Sequence, residues 1–383
     1  MTSTTMTSTT GAGPAVPGPA GSAIGDAIGE GVSLSEVVDV VFGVDTHEDF
    51  HVAAAVASVT GAVLAQLVVE ATVDGYAELV EFADEQAGLR AWAIEGTGSH
   101  GAGLTRYLEQ TEELIVELDR PERAKRRGGA KTDAIDAVRA AREALARPRL
   151  GTPRAGGQRQ ALAVLLAGRR SAVAGATGAT DTERQVRSLL IAAPDKLRSR
   201  FAGLKLPAII AAAARLRVPP AADEVTIVTL TVIRDLARRA QVLRAEAAKH
   251  EKDITRLVRS WRPDLLDQVG VGPIVAATVL CAWSHPGPIH SEAAFAKLAG
   301  VAPIPANSGK TTNRHRLNPY GDRRLNCALH TVALTRQRCH QPSRDYTERR
   351  TSQGKTPREI RRCLKRYIAR ELYRLLENPQ NNP

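Results

Sequence analysis

No stretch of the chain approaches the ~20 consecutive apolar residues that a membrane span requires. The N-terminus lacks both a charged leader and an apolar core of the kind a signal peptide carries, so the expected setting is a reducing cytoplasm. Cysteine is scarce: Cys281, Cys327, Cys339 and Cys363 have no paired C-x-x-C spacing, which argues against a disulfide framework or a zinc knuckle. A further absence bears on "PIPANSGKTT". Its Ser-Gly-Lys-Thr looks like the tail of a phosphate-binding loop, but such a loop needs a glycine where Ile304 stands. Pro303 and Pro305 also remove two backbone N–H donors from any phosphate nest. The nucleotide-binding reading fails, and Ser308 needs another account.

Acidic residues are missing where basic ones accumulate. The 383 residues carry a formal charge of +11, yet residues 301–383 alone hold 18 Lys and Arg against 6 Asp and Glu. The excess therefore sits at the C-terminal end, the electrostatic footprint of a polyanionic partner.

Four parts follow from composition and periodicity. Residues 1–35 are Thr, Ser, Gly, Ala and Pro with few large side chains, too little apolar surface to offset ordering, so a disordered tail is expected. Residues 36–150 read as strand-strand-strand-helix-strand-helix-strand-helix, with Thr72 capping the first helix and Gly88 stopping it. That order is the ribonuclease H-like, RuvC-like α/β fold. Residues 151–262 read as a helical spacer. There Leu236, Ala240, Leu243, Ala247, His250, Ile254, Leu257 and Trp261 form a heptad seam for a coiled-coil contact, within the chain or between protomers. Residues 263–383 read as a mainly helical domain. It opens on two helical segments around Gly270 and Gly272, a helix-hairpin-helix-like element able to offer N–H groups to a phosphodiester or simply to turn the chain. Its last helix starts at Thr356, with Pro357 at the first position and Glu359 completing a capping box. Ile360, Leu364, Ile368, Leu372 and Leu375 supply that helix's buried stripe.

Four carboxylates stand out against this frame. Asp45 ends the first strand, Glu95 ends the fourth, and Asp133 and Asp136 lie three apart on one face of the following helix. Singly they can cap a turn, end a strand or solvate a helix face. The topology brings the three places to one end of the sheet, where four carboxylates repel unless a cation neutralises them. An all-oxygen set suits Mg²⁺ or Mn²⁺, and two such ions can clamp both oxygens of a phosphodiester displacement. The basic loop holding Arg123, Lys125, Arg126, Arg127 and Lys131 is then a clamp for a nucleic-acid backbone.

The "GVD", "IEG" and "KTDAIDA" segments, with "FAKLAGVAPIPANSGKTTNRHRLNPYGDRRLNCAL" behind them, resemble the DEDD transposases of bacterial insertion sequences, the IS110 type. The resemblance covers about 38–148 and 264–350. It implies a metal-binding set of Asp45, Glu95, Asp133 and Asp136, and Ser308 as nucleophile in a Ser–DNA intermediate. It implies donor and target DNA as substrates and a structured noncoding guide RNA, the bridge RNA, that pairs with both. It also implies a homo-oligomer, a dimer that becomes a tetramer in the synaptic complex. Lys310, Arg314, His315 and Arg316 are near enough in sequence to bind the phosphate at that serine, and Arg323 and Arg324 join them as expected nucleic-acid contacts. Pro319 and Tyr320 depart from the family's turn. Two other readings stand beside this one: a metal-dependent structure-specific nuclease of the junction-resolvase kind, needing only the carboxylates, and a nucleic-acid-binding protein without catalysis.

Overall fold

The computed structural model describes residues 33–118, 132–147, 150–153, 156–177, 182–220, 222–305, 315–316, 318 and 321–378. The chain divides into two compact units, Met1–Arg154 and Ala155–Pro383.

The first unit is built on a five-stranded mixed sheet. Strands β1 (Val40–Thr46), β2 (Phe50–Ala57) and β3 (Val63–Glu70) form an antiparallel meander. Helix α1 (Val73–Asp84) leads to β4 (Arg90–Glu95), and helix α2 (Ala102–Gln110) to β5 (Ile115–Leu118). Both later strands run parallel to β1, giving the order β3-β2-β1-β4-β5. Helix α3 (Asp133–Ala146) completes the unit. The expected element order is present, and the mixed sheet with its helices fits a ribonuclease H-like DEDD transposase domain.

Strand β1 reads as a continuous apolar run because both of its faces are covered. Phe42 and Val44 pack with Trp92, Ile94, Leu79 and Leu104 on the α1/α2 side. Val41 packs with Ala91, Ala93, Ala140 and Ala141 on the α3 side. That second layer is made of small residues, so α3 lies close on the sheet. Gly43 sets the approach: a Cβ there would stand 2.1 Å from Ala137 O and 2.5 Å from Ala141 N.

The second unit is helical. Helices α4 (Gly157–Thr177), α5 (Thr182–Ala192), α6 (Asp195–Arg198) and α7 (Leu206–Ala213) precede α8 (Glu224–Trp261), a single helix of 38 residues. Of the heptad positions on α8, Leu243 and His250 meet α4 of the same chain, while Leu236 and Ala240 share a core with Val186 of α5 and Ile210 of α7. A Cβ at Gly168 would stand 3.0 Å from His250, and one at Gly175 3.2 Å from Leu243, so the two helices run antiparallel.

Beyond α8 come α9 (Pro273–Trp283), α10 (Glu292–Leu298), the short strands β6 (Ile304–Pro305) and β7 (His315–Arg316), α11 (Arg323–Cys339), α12 (Gln341–Ser352) and α13 (Pro357–Glu377). Leu162 and Leu166 of α4 and Ile254 and Val258 of α8 share one core with Leu280, Phe295, Leu329 and Leu372. Buried Arg262 ties the end of α8 to the last turn of α13, donating to Leu375 O at 2.7 Å and Leu376 O at 3.1 Å.

Two local expectations change. The segment before Gly270 is a 3₁₀ turn, Pro263–Leu265, and not a helix. Few residues separate Arg262 from Gly270, too few to propagate a helix past its costly first turn. The stripe of α13 closes on fully buried Leu376, one turn beyond Leu372, while Leu375 is partly buried beside it.

Candidate functional site

The parallel register of β1 and β4 pairs Val44 with Ile94, so Asp45 and Glu95 follow at neighbouring strand ends. Helix α3 starts at the same place. Thr132 caps it by accepting from Ile135 N, which puts Asp133 and Asp136 in the first turn.

His47 joins the carboxylates. Two residues beyond Asp45, it falls on the same side of the extended chain. Its Nε2 lies 3.3 Å from Asp45 Oδ2 and 3.6 Å from Asp133 Oδ1. Asp45, His47 and Asp133 each offer a ligand atom, and the three atoms lie within 4.8 Å of one another, the only such group among the described residues. Asp136 is mostly buried, with 14% of its side chain exposed, and pairs with Arg139 at 2.8 Å. Glu95 is half-buried at its strand end, where its carbonyl accepts from Thr46 Oγ1 at 3.0 Å, outside the group of three.

The electrostatics are those of a site short of positive charge. Burial pushes the Asp45 carboxyl above its ordinary range; His47 pulls it down through charge and a hydrogen bond, and Asp136 and Asp133 push it up. A divalent cation held by Asp45 and Asp133 would relieve that repulsion, so the donor set fits one. The two carboxylates suit Mg²⁺ or Mn²⁺, and the imidazole departs from the all-oxygen shell that Mg²⁺ prefers. A search of the sequence for acids passes over His47. Its signal was the strand period, since Asp45 and His47 are alternate residues at a strand end.

The second place of interest is the root of the segment that carries the serine. Ser308, Lys310 and Arg314 lie outside the described residues, as do Arg123, Lys125, Arg126, Arg127 and Lys131. On either side of 306–314, β6 and β7 pair antiparallel, Ile304 with Arg316 and Pro305 with His315. Ile304 and Pro305 thus belong to a strand, in keeping with the exclusion of a phosphate-binding loop.

Below the strands the backbone crosses itself. Gly300 has φ +64°, and a Cβ on Gly321 would stand 2.3 Å from Gly300 Cα, so a side chain at the crossing has no room. Asp322 N donates to Leu298 O at 2.6 Å. Asn318 Nδ2 donates to Lys297 O at 3.1 Å, and Asn326 Nδ2 to Ala299 O at 2.7 Å. The Asp322 carboxylate caps α11 through Arg324 N and Leu325 N. His315, Arg316, Arg323 and Arg324 are all exposed around this root.

The glycines at 270 and 272 divide. Gly270, at φ +85°, packs against Val332 and Thr335 of α11. The carbonyl before it, on Val269, accepts from buried Arg336 at 2.8 Å, and Arg336 also holds Glu371 through two bonds of 2.7 Å. Gly272, just before α9, has open space where a Cβ would be.

Comparison with known proteins finds two family models along the chain. Residues 42–193 match a transposase family, the DEDD transposases of the IS110 type. Residues 264–348 match the transposase IS116/IS110/IS902 family. The chain is 29% identical over 290 residues to the insertion element IS900 uncharacterized 42 kDa protein of Mycobacterium paratuberculosis, covering 66% of this chain and 73% of that protein. It is 28% identical over 126 residues to the insertion element IS116 uncharacterized 44.8 kDa protein of Streptomyces clavuligerus, covering 32% and 31%. The first matched segment contains all four carboxylates, and the second contains Ser308.

Proposed function

Since the chain belongs to the IS110-type DEDD transposases and is a DNA-processing enzyme, we propose that it cuts and rejoins DNA through two separate chemistries. One is a divalent-metal site of Asp45, Glu95, Asp133 and Asp136 with His47 as a further ligand. The other is Ser308 as nucleophile. The Asp45–His47–Asp133 group at the sheet end is the observation that carries the reading.

Bound at that group, Mg²⁺ or Mn²⁺ would supply positive charge to a phosphate undergoing displacement. Asp45, Asp133 and His47 would hold that ion, each offering one ligand atom. At the second site the Ser308 Oγ–P bond forms as the P–O bond of the DNA strand breaks. The serine proton leaves, and the departing sugar oxygen takes one up. The phosphoserine link conserves the bond for rejoining when the oxygen of a new strand attacks and Ser308 is released. Lys310, Arg314, His315, Arg316, Arg323 and Arg324 are the cations available to the phosphate.

The reading extends to a bridge RNA that pairs with donor and target DNA in the bacterial cytoplasm, and to dimers that join into a tetramer. It keeps a RuvC-like domain at 36–150, a helical spacer at 151–262 and a serine domain at 263–383. The surplus of basic residues over 301–383 supports a polyanionic partner. Among the described residues no helix is long and apolar enough to cross a membrane.

A test is strand cleavage by Ser308→Ala with DNA and guide RNA supplied. Cleavage is expected to vanish while binding persists, and cleavage that survives removes the nucleophile. The acidic group also supports a second reading, a metal-dependent structure-specific nuclease of the junction-resolvase kind, which needs the carboxylates and not Ser308.

A further inference from the structure

Helices α11 and α13 pack side by side, and their carboxylates are engaged elsewhere. Asp322 caps α11, Glu359 closes the capping box of α13, Glu371 is held by Arg336, and Glu377 accepts from Trp283 Nε1. The cations between the two helices are left over. Lys365 is half-buried, and its one polar partner among the described residues is Asn326 Oδ1, at 2.8 Å. An ammonium carries three donors, so two have no protein acceptor there. His330, one turn beyond Asn326, has no hydrogen-bond or ion-pair partner among the described residues. Arg361 and exposed Arg362 lie one turn before Lys365 on α13; Arg361 Nε donates to Pro357 O at 3.1 Å, and neither has an ion-pair partner among the described residues.

These groups act on one another. Burial, followed by Lys365 and Arg361, pushes the His330 imidazole below its ordinary range. Burial and then Arg362 push the Lys365 ammonium down. Burial and then Arg324 of α11 push the Arg170 guanidinium of α4 down, and neither arginine has an ion-pair partner among the described residues. Holding like charges together costs stability unless an anion arrives, and a basic face without acids fits a phosphodiester backbone.

The place of this face gives it meaning. The amide that holds Lys365 also donates to Ala299 O, beside the Gly300–Gly321 crossing at the root of 306–314. We propose that Lys365, with His330, Arg361 and Arg362, seats phosphates of the DNA strand on which the serine segment acts. Asn326 couples the seat to the root of that segment. The inference rests on the transposase reading and adds to it a strand-holding face shared by α11 and α13.

The test uses the full chain and fluorescently labelled duplex DNA of arbitrary sequence, with affinity measured between about 50 and 200 mM salt. Lys365→Gln is expected to weaken binding for every sequence and to lower the salt slope by about 1, and Lys365→Gln with Arg361→Gln by about 2. Lys365→Arg is expected to restore the slope. If Lys365→Gln unfolds, Arg361→Gln with Arg362→Gln carries the same test on the outer turn. An unchanged slope overturns the inference, and so does a loss confined to RNA of equal length. Ser308–DNA linkage by the wild-type chain is scored separately. A linkage with an unchanged slope leaves the transposase reading standing without this face, and a lowered slope without linkage does the reverse.

Discussion

Replacing Gly43 with alanine tests how the fold sets the proposed metal site. The new Cβ would stand 2.1 Å from Ala137 O, 2.5 Å from Ala141 N and 3.0 Å from Ala141 Cβ. Two of those contacts are backbone within a helix and cannot rotate away. Ordinary contact begins at 3.4 Å, so α3 must recede by about 1 Å, a displacement that can cost roughly 100-fold in rate when it misplaces reacting groups. Overpacking of this kind also costs about 1–3 kcal/mol of stability. Ala137 lies one turn after Asp133, so the shift carries Asp133 away from Asp45 and His47. The assay is Mn²⁺ binding by calorimetry or electron paramagnetic resonance on folded protein, with urea unfolding alongside. Gly272→Ala, where a Cβ meets open space, serves as the control. Wild-type metal affinity together with wild-type stability in Gly43→Ala would refute the argument.

His47→Ala is expected to weaken Mn²⁺ binding by no less than the roughly 10-fold that losing even an outer-shell partner costs; unchanged affinity would remove His47 from the site. Glu359 is held below its ordinary carboxylate range by hydrogen bonds from Thr356. Its contribution to α13 is therefore fully present above the ordinary pKa of 4.5 and lost as pH falls through the lowered folded value. Circular dichroism on acid titration of wild type and Glu359→Gln should show the two stabilities converging at low pH, and a constant gap would contradict the capping role.

The first unit was the more legible from sequence because its signals are local. Apolar runs too short for helices gave β1 and β4, and Thr72 occupies the capping position its side chain predicts. The convergence of Asp45 with Asp133 followed from topology. His47 was harder to find because imidazoles are not part of an all-carboxylate pattern, although strand alternation placed one beside Asp45. The pairing of α4 with α8 was hidden for another reason. Gly168 and Gly175 show little pattern by themselves and acquire meaning only against His250 and Leu243. Gly270 looked like the middle of a helical hairpin, but its left-handed backbone and its packing on α11 are tertiary facts. The same holds for Lys365, which reads as one more cation on a basic helix until Asn326 is seen to hold it.

The central claim is that Ser308 becomes covalently joined to DNA. The most direct measurement is mass spectrometry of denatured, nuclease-digested complexes, formed by the full chain expressed with its native flanking DNA and supplied with donor and target. A nucleotide on the peptide containing Ser308 is the expected result, absent in Ser308→Ala. Cleaved DNA with no nucleotide on that peptide would contradict it and leave the acidic site as a hydrolytic nuclease centre.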